Sequence, residues 1–241
     1  MKHKDCIFKK LKRKNKAADK CKSSLRISID SKAKVKVGDF ARGGKSRQKD
    51  TPIGLDHDTL DAEKVVPFGI LEVVAGALMI VMGISHETSD FIVDCLEQWW
   101  TKRHTAHKNI KTLVINLDNG PQNSGRRTQF LKRVLEFSQK YNLRIELVYY
   151  PPYCSKYNPI ERCWGILECY WNGALLNSIR KIVLWASNMT WNGKHPTVEL
   201  IDKIYSKGVT VCKKEFQNIE SALRRDCDLP QYFITIKPST V

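Results

Sequence analysis

The stretch from Val65 to Ile84 limits the fold more than any other part of the chain. It is apolar and about as long as a membrane span. It also holds Pro67, Glu72 and the glycines Gly69, Gly76 and Gly83, and it is rich in Val and Ile. Two buried strands joined by a turn near Ala75–Gly76 account for this better than a helix in lipid. No membrane segment is expected, and strands this apolar call for a sheet covered by helices.

The remaining segments fit such a sheet. LRISID (25–30) alternates apolar and polar residues as a half-buried strand does, and 33–37 alternates again, which predicts a hairpin. Residues 41–64 carry Gly43–Gly44 and many charges without periodicity, and are expected to form a long exposed loop. Thr88 or Ser89 caps a helix whose Phe91, Ile92, Cys95, Leu96, Trp99 and Trp100 share one face. A strand over 113–117 ends in Asp118–Asn119–Gly120. It is followed by an amphipathic helix over 126–141 with Phe130, Leu131, Val134, Leu135 and Phe137 as its stripe. A further strand covers 143–149, Pro151–Pro152 stops it, and Asn158–Pro159 opens a helix bearing Glu161, Trp164 and Leu167. Residues 178–189 are helical, and the rest is a mixture of short elements. The lysine-rich residues 1–24, with Ile7, Phe8 and Leu11 at helical spacing, read as a basic helix or arm, partly disordered. The predicted fold is α/β, a mixed five-stranded sheet flanked by helices in the element order of ribonuclease H.

The 241 residues carry a formal charge of +16, which points to a polyanionic partner, although a merely basic solvated surface is the plain alternative. The eight cysteines form no C-x-x-C pair and follow no apolar leader, so reduced thiols are expected.

Acidic residues in this basic chain sit at telling places. Asp30 ends LRISID, Asp118 ends LVINLD, and Glu161 lies in the first turn of the helix after the next strand. Carboxylates gathered there are costly to bury and raise one another's pKa, a cost that a bound divalent cation removes. Oxygen ligands of this kind suit Mg²⁺, which commonly completes its shell with water and phosphate oxygens. Each residue taken singly has a plainer role. Asp118–Asn119–Gly120 suits a tight turn, Asn158 and Glu161 match a capping box, and Asp30 can start a turn. Their joint placement on successive elements favours a shared site.

Several blocks then resemble the ISAzo-type insertion-sequence transposases. They are RISIDSKAKVKVGDFARGGKSR (26–47), LDHD (55–58), PFGILEV (67–73), GISHETSDFIVDCLEQWW (83–100), VINLDNGPQNSGRR (114–127) and YYPPYCSKYNPIERCWG (149–165). The resemblance runs from about Arg26 to the C-terminus. It departs from the family pattern after Asp118 and after Glu161, at no triad position. It implies a ribonuclease H-like fold with a DDE triad at Asp30, Asp118 and Glu161. It also implies a catalytic domain over 25–190, preceded by the arm at 1–24 and followed by a C-terminal extension at 191–241 packed on it.

A transposase of this kind cuts DNA at the ends of an insertion sequence and joins them to a target. Two Mg²⁺ ions about 3.5–4 Å apart, replaceable by Mn²⁺, would be bridged by Asp30 and each held by Asp118 or Glu161. Lys156, Arg162, Arg126 and Arg127 are candidate phosphate contacts, each with a solvated surface as the alternative, and Asn119 is counted with them. Tyr149, Tyr150, Tyr153 and Tyr157 can stack on unpaired bases, with ordinary packing expected for at least half of them. The resemblance further implies a homodimer on DNA and a cytoplasmic, nucleoid-associated bacterial protein. Relatives carry an upstream helix-turn-helix region, so this chain is expected to be the catalytic part only. A silent DNA-binding remnant and a ribonuclease H-like nuclease are the competing readings.

Overall fold

A computed structural model describes residues 2–45, 49–50, 53–55 and 62–238. Of the loop expected over 41–64, residues 46–48, 51–52 and 56–61 lie outside the described residues. Most of the LDHD block and the end of the 26–47 block fall there.

The Val65–Ile84 stretch forms two antiparallel strands, β3 (Lys64–Glu72) and β4 (Ala77–Gly83), with Gly76 in the left-handed region at φ 65° between them. Only glycine enters that region without a steric cost, which places the turn there. Both strands are buried along nearly their whole length. Among the described residues no helix is long and apolar enough to cross a membrane.

β1 (Ser24–Ser31) pairs antiparallel with β3 and parallel with β5 (Thr112–Leu117), and β6 (Arg144–Tyr149) runs parallel beside β5. The expected five-stranded mixed sheet is thus the run β4-β3-β1-β5-β6. It is extended beyond the expected five. β7 (Thr197–Ile201) adds to β4, while β9 (Phe233–Ile236) and then β8 (Leu223–Arg225) add beyond β6. The short strand β2 (Val35–Lys36) pairs with the start of β3. The expected hairpin between 25–30 and 33–37 is therefore not formed, because both edges of β1 are already taken by β3 and β5.

Successive strand residues point to opposite faces. Ile27 and Ile29 of β1 join one cluster with α2 (Ser89–Arg103) and α3 (Thr128–Tyr141), whose apolar stripes fall on the predicted positions. Thr88 caps α2 by accepting from the Phe91 N–H. Trp99 and Trp100 are both buried. Arg26, Ser28 and Asp30 face the other side, where α4 (Glu161–Trp171) and α5 (Ile179–Ser187) pack against β3 and β4.

The N-terminal segment is a helix of 19 residues, α1 (Lys2–Lys20), that buries Ile7, Leu11 and Ala18. Polar ties fix it across the sheet. Arg26 forms a two-pronged pair with Asp19, Asn116 donates to Asn15, and Lys14 bonds Glu146. A last helix, α6 (Lys213–Ser221), precedes β8.

Candidate active site

Asp30 stands near the C-terminal end of β1. The register that pairs Ser28 with Asn116, continued by two residues, brings Asp118 level with it on the neighbouring strand. Adjacent strands lie about 4.8 Å apart, so these two carboxylates are neighbours by construction. Glu161, the first residue of α4, approaches from the helix layer on the same face.

The approach of α4 is set by Asn158, which the sequence suggests as the cap of this helix. Its side chain makes no cap. The residue before α4 is Ile160, in helical conformation and without a side-chain cap bond. Asn158 is instead buried against β1, accepting from Ser28 Oγ at 2.5 Å and donating to the Ile29 carbonyl at 2.9 Å. Ser28 Oγ also accepts from the Ile160 N–H at 3.0 Å. The start of α4 is thereby stapled to the strand that carries Asp30, and Glu161 is not a capping residue. The turn reading of Asp118–Asn119–Gly120 also gives way, since the chain proceeds to α3 rather than doubling back as a hairpin.

Two further side chains that the sequence did not single out hold the carboxylates. Trp164 Nε1, one turn into α4, donates to Asp30 Oδ2 at 3.0 Å. It reaches Asp30 because Gly69 is register-paired with Asp30 on the adjacent strand, and a Cβ there would sit 2.8 Å from the indole ring. Asn123 Nδ2 donates to Asp118 Oδ1 at 2.8 Å, and Gly120 leaves room beside that carboxylate, where a Cβ would lie 3.1 Å from Oδ2. Nothing local in the sequence marks Asn123. Trp164 was visible only as part of an apolar helix face.

Burial, and then the charges of Asp118 and Glu161, push the Asp30 carboxyl up to about 7, against the opposing pull of the Trp164 bond. Among the described residues none of the three carboxylates pairs with a Lys, Arg or His. Among the same residues no three His, Cys, Asp or Glu side chains stand together closely enough to grip a metal ion as placed. The side chains are close enough to feel one another's charge, while one oxygen each of Asp30 and Asp118 is held by a neutral donor. The donor set nonetheless suits a hard cation. It is all oxygen, it is uncompensated, and the buried Asn123 Oδ1 beside Asp118 has no hydrogen-bond partner.

The predicted DNA contacts divide into two groups. Lys156, in the short turn before α4, and Arg162, beside Glu161, are exposed. Arg126 donates to Gln231 at 2.7 Å, Arg127 to the Val209 carbonyl at 3.3 Å, and Asn119 accepts from the Gly125 N–H at 3.3 Å, so these three already tie the chain together. The tyrosines divide as well. Tyr149 and Tyr150 are buried, the first donating its hydroxyl to the Asn123 carbonyl, whereas Tyr153 and Tyr157 are exposed. Tyr153 is held at φ 61°, uncommon for a residue with a side chain, and the residue is 98% exposed.

A family model described as the Rhodopirellula transposase DDE domain matches residues 1–238. No curated protein matches the chain. Among solved structures, a Mos1 transposase paired-end complex with left transposon end superimposes with a TM-score of 0.51 at 10% identity. The superposition covers 76% of this chain and 51% of that one, so the chain spans about half the length of the solved relative. That likeness establishes the fold as ribonuclease H-like. The family match takes in α1 and the C-terminal strands as well as the carboxylate-bearing core: this chain belongs to the Rhodopirellula family of DDE transposase domains.

Proposed function

We propose that the chain is the catalytic domain of a DNA transposase, cleaving and joining DNA strands at insertion-sequence ends through Asp30, Asp118 and Glu161. The observation that carries this reading is the electrostatic isolation of the triad. Burial, and then the charges of Asp118 and Glu161, raise the proton affinity of Asp30, and no basic side chain among the described residues pairs with the three carboxylates. Bound divalent cations, Mg²⁺ or Mn²⁺, would supply Lewis-acid activation and charge neutralisation at a phosphodiester.

The protein's own part is to fix the ligands. The Ser28–Asn158 staple sets the position of Glu161 relative to Asp30, while Trp164 and Asn123 orient the carboxylates of Asp30 and Asp118. Lys156 and Arg162 are placed to hold the DNA backbone, which positions the strand without reading its sequence. Tyr153 and Tyr157 offer exposed rings on which unpaired bases can stack near the cut. Such a site works by positioning and charge stabilisation, without a covalent protein intermediate.

The deciding experiment incubates the chain with supercoiled plasmid, with and without Mg²⁺ or Mn²⁺, beside Asp118→Asn. Metal-dependent nicking by the wild type alone supports the assignment. Substantial metal-dependent nicking by the variant refutes it. Joining of a pre-cut 3′ end to a target plasmid then separates a transposase from a nuclease on the same scaffold.

A further inference from the structure

α1 sorts its cations into two sets. The inner lysines are neutralised inside the fold, Lys10 by Asp226 and Lys14 by Glu146. At about 100° per residue, Lys9, Lys12, Arg13, Lys16 and Lys20 fall within an arc of about 100°, opposite the buried Ile7, Leu11 and Ala18. All five are exposed, and none forms an ion pair among the described residues. A helix needs only its apolar stripe to pack, so an outer face of this charge is unexplained by folding.

The position of the stripe gives it a partner. The N-terminal half of α1 rests on the loop that leads into α4. Phe8 meets Tyr157 edge to face with ring centroids 5.1 Å apart, and Lys4 lies 6.0 Å from the centre of the Tyr153 ring. From there the helix runs back along the sheet to enter β1 at Ser24. The five cations therefore form a ridge that starts at the proposed cleavage loop and recedes from it. From Lys9 to Lys20 the ridge is about 16 Å long, roughly half a turn of duplex DNA.

We infer that the outer face of α1 is a phosphate-tracking ridge for the duplex that flanks the cut, binding it without regard to sequence. The inference rests on the reading of the site as DNA-cleaving. The ridge supplies point charges along a polyanion, and binding there releases condensed counterions.

The test compares the wild type with a variant in which Lys9, Lys12, Arg13, Lys16 and Lys20 are all changed to Gln. A control changes five exposed basic residues elsewhere (Lys108, Lys111, Arg180, Lys194 and Lys214) to Gln. Binding to a 30-base-pair duplex of random sequence is followed by fluorescence anisotropy across a salt series. The dependence of log affinity on log salt should become shallower by about 0.9 per lost contact in the ridge variant, a total of about 4–5 for the five cations, and change little in the control. An unchanged slope in the ridge variant, or an equal loss in the control, overturns the inference. Plasmid nicking is scored in parallel. Nicking with an unchanged slope sinks the ridge alone, whereas a ridge-dependent slope without nicking by any protein sinks the catalytic reading alone.

Discussion

Two neighbourhoods in this molecule bury carboxylates and treat them in opposite ways. Glu72, at the end of β3, is 1% exposed and is gripped by Arg103 at 2.6 and 3.0 Å and by His107 at 3.2 Å. Burial pushes its carboxyl up, but the Arg103 bonds and charge outweigh that and hold it below the usual carboxylate range. Asp94 on α2 is treated likewise by Arg133, Lys203 and Tyr205. Three register positions along the sheet from Glu72, Asp30 shares its surroundings with two more carboxylates and is met only by neutral donors, the Trp164 indole and the Ser31 backbone N–H. Cations are not scarce in a chain with 41 Lys and Arg against 25 Asp and Glu. No Lys, Arg or His pairs with Asp30 among the described residues, whereas Glu72 and Asp94 are both paired, and this contrast is what the proposed metal-binding role of the triad rests on.

The comparison breaks most readily at the triad itself. Asp30→Asn, Asp118→Asn and Glu161→Gln are each expected to lower metal-dependent nicking by at least about 10³-fold. Melting followed by circular dichroism should show no loss of stability in these variants. Asp30→Asn should even melt higher than the wild type in EDTA at pH 8, because an uncompensated charge has gone. Glu72→Gln should do the reverse. It leaves Arg103 without its partner and costs about 2 kcal/mol, less than for a fully buried pair because Arg103 is partly exposed. Its effect on nicking should follow the stability loss alone.

The two neighbourhoods also predict opposite responses to pH. Asp30 has a folded value of about 7 against an ordinary 3.8, so the native state binds the extra proton between those values. Its contribution to stability is full below about pH 4 and disappears as pH rises through 7. Glu72, held below its ordinary 4.5, contributes above that value and loses the contribution as pH falls through its folded value. Melting temperatures in EDTA should therefore show the gap between Asp30→Asn and the wild type widening from pH 4 to 7. The gap for Glu72→Gln should close as the solution is acidified below 4.5. Adding Mg²⁺ at pH 8 should stabilise the wild type and leave Asp30→Asn nearly unmoved.

Asn158→Ala sharpens the geometric side of the comparison. Two side-chain bonds are lost at a buried position, at a cost of about 1–3 kcal/mol. Nicking at saturating DNA should fall by about tenfold or more while DNA affinity holds, since Glu161 loses its placement and the backbone contacts do not. Trp164→Phe should have the smallest effect. It removes the bond that pulls Asp30 down, so the acid limb of the nicking profile should move to higher pH with little change in the plateau.

Much of this was legible in the sequence, because it rests on local periodicity. The β3–β4 pair announced itself through unbroken apolar runs and Gly76, and the helical stripes of α2 and α3 through their spacing. The three carboxylates were legible because each marks the end or the start of an element. What escaped detection depends on partners distant in the chain. The alternation of β1 looked half-buried and free to pair with 33–37. In the fold, its polar residues Arg26 and Ser28 are satisfied within the protein, by Asp19 and Asn116 and by Asn158. The strands of the C-terminal region are short, and their edges make sense only against β4 and β6. Asn158 fits the local rule for a cap but is recruited by a strand 129 residues away.

That last separation has a temporal consequence. Ser28 and Asn158 are 130 positions apart, and between them lie the strands and helices of most of the core. Closing so long a loop is entropically unfavourable until those elements have docked. During synthesis, Asp30 and Asp118 leave the ribosome long before Glu161, and they have no third partner until α4 arrives and is stapled down. On the proposed function, a nascent or interrupted chain is therefore unarmed, and the capacity to cut DNA would be the last property the domain acquires.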